Sequence, residues 1–337
     1  MPELRRILLT GGNSGIGFEA AALLCRAGHR LTLLCRDGTT AEEASRRMAE
    51  KAGSTNLSQI APPQTAVCDL GDLESVRTCG AALLEAGTII DTLVLNAGLQ
   101  YAGSKEPRRT PQGFELSVGV NHLGHLLLAQ LLTPALEAGS SPRLVVTASE
   151  VHDPTSAGGK VGRPAGLGDL SGLKAGEDAC MVDGSTPFNA EKAYKDSKLC
   201  NVLFAREFQR RMEAQGQALP VIAWSPGLVI PPISSGGFWR YSRQSNELGQ
   251  RLFALAARSI LRISERVETA GALLAALATD DAYATPGFSY YSNRLLAPGR
   301  HRFEATSISA EAKDDALALQ LWERSTTLVG AETTLPD

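Results

Sequence analysis

The chain of 337 residues has no CxxC pair and no Cys/His spacing of the kind that holds a metal, although it carries Cys25, Cys35, Cys68, Cys79, Cys180 and Cys200. Scattered thiols, most of them in segments that read as regular helix or strand, are expected to be reduced, which points to a cytoplasmic setting and to no metal site. An excess of one charge is also missing, the formal net charge being −3. Without a basic stripe there is no electrostatic case for a nucleic-acid partner. No run approaches the ~18 apolar residues of a membrane span. The opening "MPELRR" leads into a short strand rather than the apolar core of a signal peptide. No linker rich in Pro, Ser or charge divides the chain, and no internal repeat is visible. A single domain spanning residues 1–337 is therefore expected, and at 43% hydrophobic residues it can bury a large core.

What is present is an alternation. The short apolar runs "RRILLT", "RLTLLCR", "QTAVCDL", "IDTLVLNAG", "PRLVVTAS", "PVIAWSPG" and "GFSYYSN" read as strands. Between them, segments such as Phe18 to Ala27 and Leu116 to Leu132 place apolar residues at helical spacing. Strand and helix in turn predict an α/β fold of the Rossmann type, a doubly wound parallel sheet covered on both faces. Ligands of such sheets bind beyond the carboxyl ends of the strands. Two stretches break the rhythm: a Gly-rich insertion over 150–188 and a segment over 230–263 after the sixth strand.

The first strand ends in "TGGNSGIG", and a helical run follows at once. Glycines there let the backbone turn tightly and approach a pyrophosphate, whose charge the helix N-terminal amides stabilise. The candidate cradle is Gly11, Asn13, Ser14, Gly15, Ile16 and Gly17. At the end of the second strand a carboxylate would bind a ribose 2′-hydroxyl, but Cys35 and Arg36 stand there. A guanidinium suits a 2′-phosphate, so NADPH is the expected cofactor, with Asp37 better placed to cap a turn. Asp69 and Leu70, closing the third strand, are candidates to meet the adenine; capping the next helix is the other reading of Asp69.

Tyr194 and Lys198 in "AYKDSKLCN" are four residues apart, so they share one helix face, and an ammonium beside a phenol favours its ionised form. A tyrosine tuned in this way can exchange a proton near neutral pH. Together with "TGGNSGIG", the "LNAG" of Asn96, Ala97 and Gly98, and Ser149 at a strand end, these residues give a sequence that resembles the short-chain dehydrogenase/reductase family. The resemblance implies that Tyr194 donates the proton, that Lys198 lowers its pKa and holds the nicotinamide ribose, and that Ser149 binds the substrate oxygen. It also implies that Asn121 of "VGVNHLGH" anchors a water relay and that Pro226 and Gly227 run close to the nicotinamide. Within the family the likeness narrows to the light-dependent protochlorophyllide oxidoreductases, through "KEPRRTPQGFELSVGVNHLGHLLL", "LGDLSGL", "MVDG", "AYKDSKLCN" and "LWERSTTLVG".

That branch has a cysteine after the Pro-Gly of the sixth strand, where this chain has Leu228, and leucine has no ionisable proton. Its "NAA" is also "NAG" here, with Gly98 in place of an alanine. The reading is therefore NADPH-dependent reduction of a carbonyl on a large apolar small molecule, a tetrapyrrole among the candidates. The alternatives are light-driven reduction of the protochlorophyllide ring double bond and a non-catalytic protein that binds pigment and NADPH. The substrate wall is expected to include Ser149, Leu228, Phe238 and Trp239, the last two in a lid over 230–263. Interleaved arginines in that lid fit either peripheral contact with an anionic membrane or an amphipathic helix closing the core. His122 and His125 lie one turn apart but have no carboxylate at ligand spacing, so a packing role is expected. His152 and Asp153 are candidates for substrate contact or for a loop turn. The oligomeric state is left open.

Overall fold

The structure is a computed structural model, and it describes residues 4–52, 63–176, 178–230, 242 and 247–331. Seven strands form where the β-branched and leucine-rich runs lie: β1 Arg6–Thr10, β2 Arg30–Cys35, β3 Gln64–Val67, β4 Thr92–Leu95, β5 Arg143–Thr147, β6 Pro220–Ser225 and β7 Gly287–Ala297. An eighth, β8 Arg300–Ala305, was not foreseen, because "RHRFEA" is too charged to stand out as an apolar run. The order across the sheet is β3-β2-β1-β4-β5-β6-β7-β8. Every pairing is parallel except β7 with β8, which closes that edge as an antiparallel hairpin. The reversal of direction along the order, outward from β1 to β3 and then back through β4, creates the crevice in which such sheets bind ligands.

Side chains alternate between the two faces with the period of a strand. Ile7, Leu9, Val94, Val145, Ile222 and Trp224 face α1 Gly15–Arg26, α2 Gly38–Ala52 and, from near the C-terminal end, the helix Val267–Thr279. Leu8, Leu93, Leu95, Leu144, Val146, Val221 and Ala223 face α3 Leu73–Glu85 and the helices that follow β4 and β5. The segment after β4 is a helix in three parts: α4 Leu116–Val118, a π-helical turn Gly119–Leu123, and α5 Gly124–Glu137. After β5 comes α6 Ala190–Ala214, the helix of Tyr194 and Lys198, capped by Asn189 accepting from the Lys192 amide at 2.7 Å. The remaining helices are α7 Glu247–Leu255, α8 (the Val267–Thr279 helix already named) and α9 Asp315–Val329.

Among its described residues, the insertion between β5 and α6 contains one short 3-10 turn, Glu150–His152, and otherwise no repeating structure. It is fixed from α6 instead. The Lys195 ammonium, buried next to Tyr194 in sequence, donates to the carbonyls of Gly159 at 2.9 Å, Val161 at 2.5 Å and Arg163 at 3.1 Å. Lys192 holds the Gly166 carbonyl at 2.7 Å and pairs with Asp196 and Asp183. An irregular loop is thus held in place by ammonium groups of α6.

Candidate active site

The strand ends of the crevice open into one cavity of about 1970 Å³. Every candidate cofactor residue lines it: Gly11, Asn13, Ser14, Gly15, Ile16, Gly17, Arg36, Asp69, Leu70, Asn96, Ala97, Gly98, Tyr194, Lys198, Pro226 and Gly227. So do Ser149 and Leu228. Phe238 and Trp239 lie outside the described residues, as does most of 231–246.

At the glycine loop, Gly11 has φ 70° and Gly15 φ 55°, the left-handed region that other residues avoid. A Cβ on Gly11 would meet the Ala97 backbone at 2.8 Å, and one on Gly17 would enter the Gly11 carbonyl, so these positions keep two chain segments in contact. Arg36 is half exposed and reaches Asp37 at 3.4 Å. Asp37 accepts from the Thr40 amide at 2.7 Å, a bond that holds its carboxyl below the usual range and makes it the cap of α2. Arg47 was missed by sequence reasoning. It lines the same end of the cavity, stacks its guanidinium 4.5 Å from the Phe18 ring centre and approaches the Asn13 carbonyl at 3.4 Å. Thr40, Glu43, Ala44 and Arg47 all line the cavity. Their helical spacing was the signal that could have found Arg47. Asp69 does not cap α3. Its Oδ1 accepts from the Gly71 amide at 2.9 Å in a tight turn, and the cap is Asp72, which accepts from Glu74 at 3.1 Å.

Ser149, Tyr194 and Lys198 converge at the middle of the cavity. The Ser149 hydroxyl hydrogen-bonds the Tyr194 phenol, and the Lys198 Nζ lies 5.8 Å from the centre of the Tyr194 ring. Lys198 donates to the Thr147 carbonyl at 2.9 Å. Burial governs both ionisable groups here. It raises the Tyr194 phenol well above its ordinary value, with only the Ser149 bond pulling it down, and it lowers the Lys198 ammonium to about 7. The expected lowering of the tyrosine by its lysine neighbour is therefore absent from the protein alone, where burial is the largest influence on the phenol and the Ser149 bond opposes it.

Asn121 does not line the cavity. It sits in the π turn, fully buried, and its amide grips the backbone of Leu99 from both sides: Oδ1 accepts from the Leu99 amide at 2.9 Å and Nδ2 donates to the Leu99 carbonyl at 3.0 Å. The same Nδ2 reaches the Ser197 hydroxyl at 2.9 Å, which in turn donates to the Tyr194 carbonyl at 2.7 Å. Asn121 thus braces the site from behind. A Cβ on Gly98 would approach Asn121 Oδ1 at 3.3 Å, a tight contact, and Lys198 Nζ at 3.5 Å, an ordinary one, so an alanine there would press on Asn121.

The loop after β6 is held rigidly. Gly227 has φ 76°, Asn293 Nδ2 donates to the Pro226 carbonyl at 3.3 Å, and the Glu265 amide donates to the Leu228 carbonyl at 2.8 Å. Phe253 of α7 lines the cavity, while Leu248, Leu252 and Leu255 of the same helix are exposed. His152 packs against Tyr290 at 5.1 Å, accepts from the Ser309 amide through Nε2 at 3.2 Å and reaches the Ser149 carbonyl through Nδ1 at 2.7 Å. Both nitrogens are engaged, so it steadies the serine's backbone. Asp153 accepts from the amide and hydroxyl of Thr155, a loop-turn role. His122 is packed against Phe204 and bonded to Ser325 at 2.9 Å. No cluster of metal-ligating side chains occurs among the described residues.

Comparison with known proteins agrees with this geometry. A short chain dehydrogenase family model matches residues 5–161. The chain is 33% identical over 331 residues to the protochlorophyllide reductase of Avena sativa, covering 96% of this chain and 99% of that protein. It is 35% identical over 328 residues to the chloroplastic protochlorophyllide reductase of Chlamydomonas reinhardtii, covering 96% and 77%. Among solved structures, an uncharacterized protein from Mycobacterium paratuberculosis superposes with a TM-score of 0.68 at 27% identity, covering 98% of this chain and 95% of that one. Levodione reductase superposes with a TM-score of 0.60 at 21% identity, covering 88% and 96%, a likeness of fold. Identity at this level across nearly the whole length means that the chain belongs to the short-chain dehydrogenase/reductase family of oxidoreductases and is similar, within it, to the protochlorophyllide reductases.

Proposed function

We propose that this chain is an NADPH-dependent reductase of a bulky, largely apolar small molecule, with a carbonyl as the group reduced. One observation carries the reading: a single cavity of about 1970 Å³ holds the glycine loop and Arg36 at one end and Ser149, Tyr194 and Lys198 further along. Pockets for one drug-sized ligand measure roughly 300–1,000 Å³, so this volume suits a dinucleotide together with a large substrate. The residues present fit the cofactor, since the left-handed glycines clear space for a pyrophosphate at the start of α1, and Arg36, with Arg47 beside it, supplies positive charge for a 2′-phosphate.

NADPH, when bound, supplies the hydride. The chain's own residues do the rest. Ser149 and Tyr194 present hydroxyls to the same point, where a substrate oxygen would accept from both. Tyr194, kept as a phenol by burial, gives its proton to that oxygen. Lys198 offsets the charge that develops on the phenolate, and Asn121, acting through Leu99 and Ser197, keeps the helix and its facing loop in register. Leu228 gives an apolar contact at the cavity wall and no proton, which leaves Tyr194 to protonate the carbonyl oxygen.

A second reading, reduction of the protochlorophyllide double bond, is favoured by the similarity to the protochlorophyllide reductases along 96% of this chain. Purified protein with NADPH and either bulky aryl ketones or the pigment separates the two. Carbonyl reduction proceeds in the dark; pigment reduction that waits for a light flash would replace the first reading with the second. If the protein bound NADPH and pigment but turned over neither class of substrate, in the dark or after a flash, a non-catalytic binding role would stand instead.

A further inference from the structure

We infer that His125 is a positioning residue, a neutral imidazole of fixed tautomer that ties the cofactor loop to the helix carrying the site. The hydrogen-bond geometry allows one arrangement. The Thr10 hydroxyl accepts from the amides of Asn96 at 2.9 Å and Ala97 at 3.0 Å, which occupies both of its lone pairs. Its own proton must go outward, and the nearest acceptor is His125 Nε2 at 3.0 Å, the Val94 carbonyl being at 3.4 Å. The other ring nitrogen, Nδ1, lies 3.1 Å from the Asn121 carbonyl, which can only accept, so Nδ1 carries the hydrogen. A second proton on Nε2 would point at an oxygen with no lone pair left. Burial and the nearby Lys198 charge act in the same sense, placing the imidazole at about 4.

The bonds therefore run in one direction, Thr10 O–H to His125 Nε2 and His125 Nδ1–H to the Asn121 carbonyl. At one end Thr10 fixes Asn96 and Ala97, which line the cofactor part of the cavity. At the other, Asn121 holds Leu99 and Ser197, and Ser197 holds the backbone of Tyr194. Among the described residues, His125 is the side chain that joins these two sets.

The first test needs no substrate. In protein labelled with ¹⁵N-histidine, His125 should show a protonated Nδ1 and a bare Nε2, unchanged from pH 5.5 to 8.5, the signal being assigned by its loss in His125→Gln. A protonated Nε2, or titration within that range, would overturn the inference. The second test separates the two bonds. His125→Asn places an amide N–H where Nδ1 was and loses the Thr10 link, whereas His125→Gln places an acceptor near Nε2 and loses the Asn121 link. A net hydrogen bond is worth enough to shift an equilibrium about five- to tenfold. His125→Asn should therefore weaken NADPH binding, read by nucleotide fluorescence, about fivefold or more with kcat within about twofold. His125→Gln should do the reverse, with 9,10-phenanthrenequinone as the carbonyl probe. Equal loss of both quantities in both variants would mean plain packing and would overturn the inference. The kcat comparison rests on the reductase reading; if wild-type protein reduced no carbonyl probe, that reading would fail, while the tautomer and NADPH affinity would still decide the role of His125.

Discussion

Lys198 and Tyr194 are displaced by burial in ways that set a pH profile. In the proposed reaction, reduction needs Lys198 as an ammonium and Tyr194 as a phenol. The phenol is secure through the neutral range because its pKa is raised, whereas Lys198 loses its proton as pH rises through about 7. The profile of kcat/KM, which reports the free enzyme, should fall above about pH 7, and Lys198→Met should leave a low, flat line. The same group acts on stability with a definite sign. Between about 7 and the ordinary lysine value of 10.5 the unfolded chain holds a proton the folded one has released, so stability from this residue increases with pH across that window. Tyr194→Phe should lower turnover about 10²–10⁴-fold with NADPH binding kept, checked by single-turnover kinetics beside a nucleotide titration. Arg36→Ala should reduce the preference for NADPH over NADH about 10- to 100-fold, the worth of a charge-assisted hydrogen bond, as read from the two cofactor KM values. These residues were legible in the sequence because their chemistry is local: a four-residue spacing, a glycine pattern, a strand-end position. Arg47 was not, because its place beside the cofactor end arises only when α2 packs on Phe18. The role of Asn121 was half legible, its position being right while its amide proved to hold backbone rather than open onto the cavity.

At the scale of elements, α1 carries the amides of the glycine loop, and its position depends on α8. Gly271 of α8 meets α1 so closely that a Cβ would overlap that of Glu19 and lie 3.0 Å from the Ala20 amide. Gly271→Ala should therefore push α8 off α1, cost about 1–3 kcal/mol and lower Tm in a thermal scan, with NADPH affinity falling in parallel. Most elements could be read from periodicity. β1, β4, β5 and β6 follow apolar runs that are buried on both faces, whereas β8 alternates charged residues and escaped notice. The helix predicted over Leu116 to Leu132 exists, but periodicity has no means of marking the π turn, which depends on the tertiary contacts of Asn121. Of the segment over 230–263, the described residues include α7 and a following π turn, with Leu248, Leu252, Leu255 and Ile260 exposed on their surface.

At the scale of the molecule, the end of the sheet opposite the cavity is tied by Asp91. This buried carboxylate accepts from the Arg6 amide at 2.8 Å, from its guanidinium at 2.9 and 2.7 Å, and from the Ser140 amide at 3.0 Å. Burial raises its pKa, but the Arg6 and Ser140 bonds outweigh that and hold it well below the usual carboxylate range. Its contribution to stability is present above the ordinary aspartate value and is lost as pH falls through that value toward the depressed one. Asp91→Asn should cost about 1.5–3 kcal/mol at neutral pH, and the cost should begin to shrink as pH falls below the ordinary aspartate value, a trend that denaturant titrations from pH 7 down to pH 3 would show. The cavity itself was the least legible feature, since its wall comes from segments as distant as Gly11 and Ser307, which only the crossover topology brings together.

The two margins of the sheet carry a further consequence, for how copies of the chain meet. β3 is a four-residue strand with Val67 half exposed, and β8 turns Arg300, Arg302 and Glu304 along the other margin. A short strand on one side and a charged one on the other are poor templates for recruiting another strand. Copies of this protein should therefore not polymerise edge to edge through their sheets, and any defined oligomer must be built on helix faces.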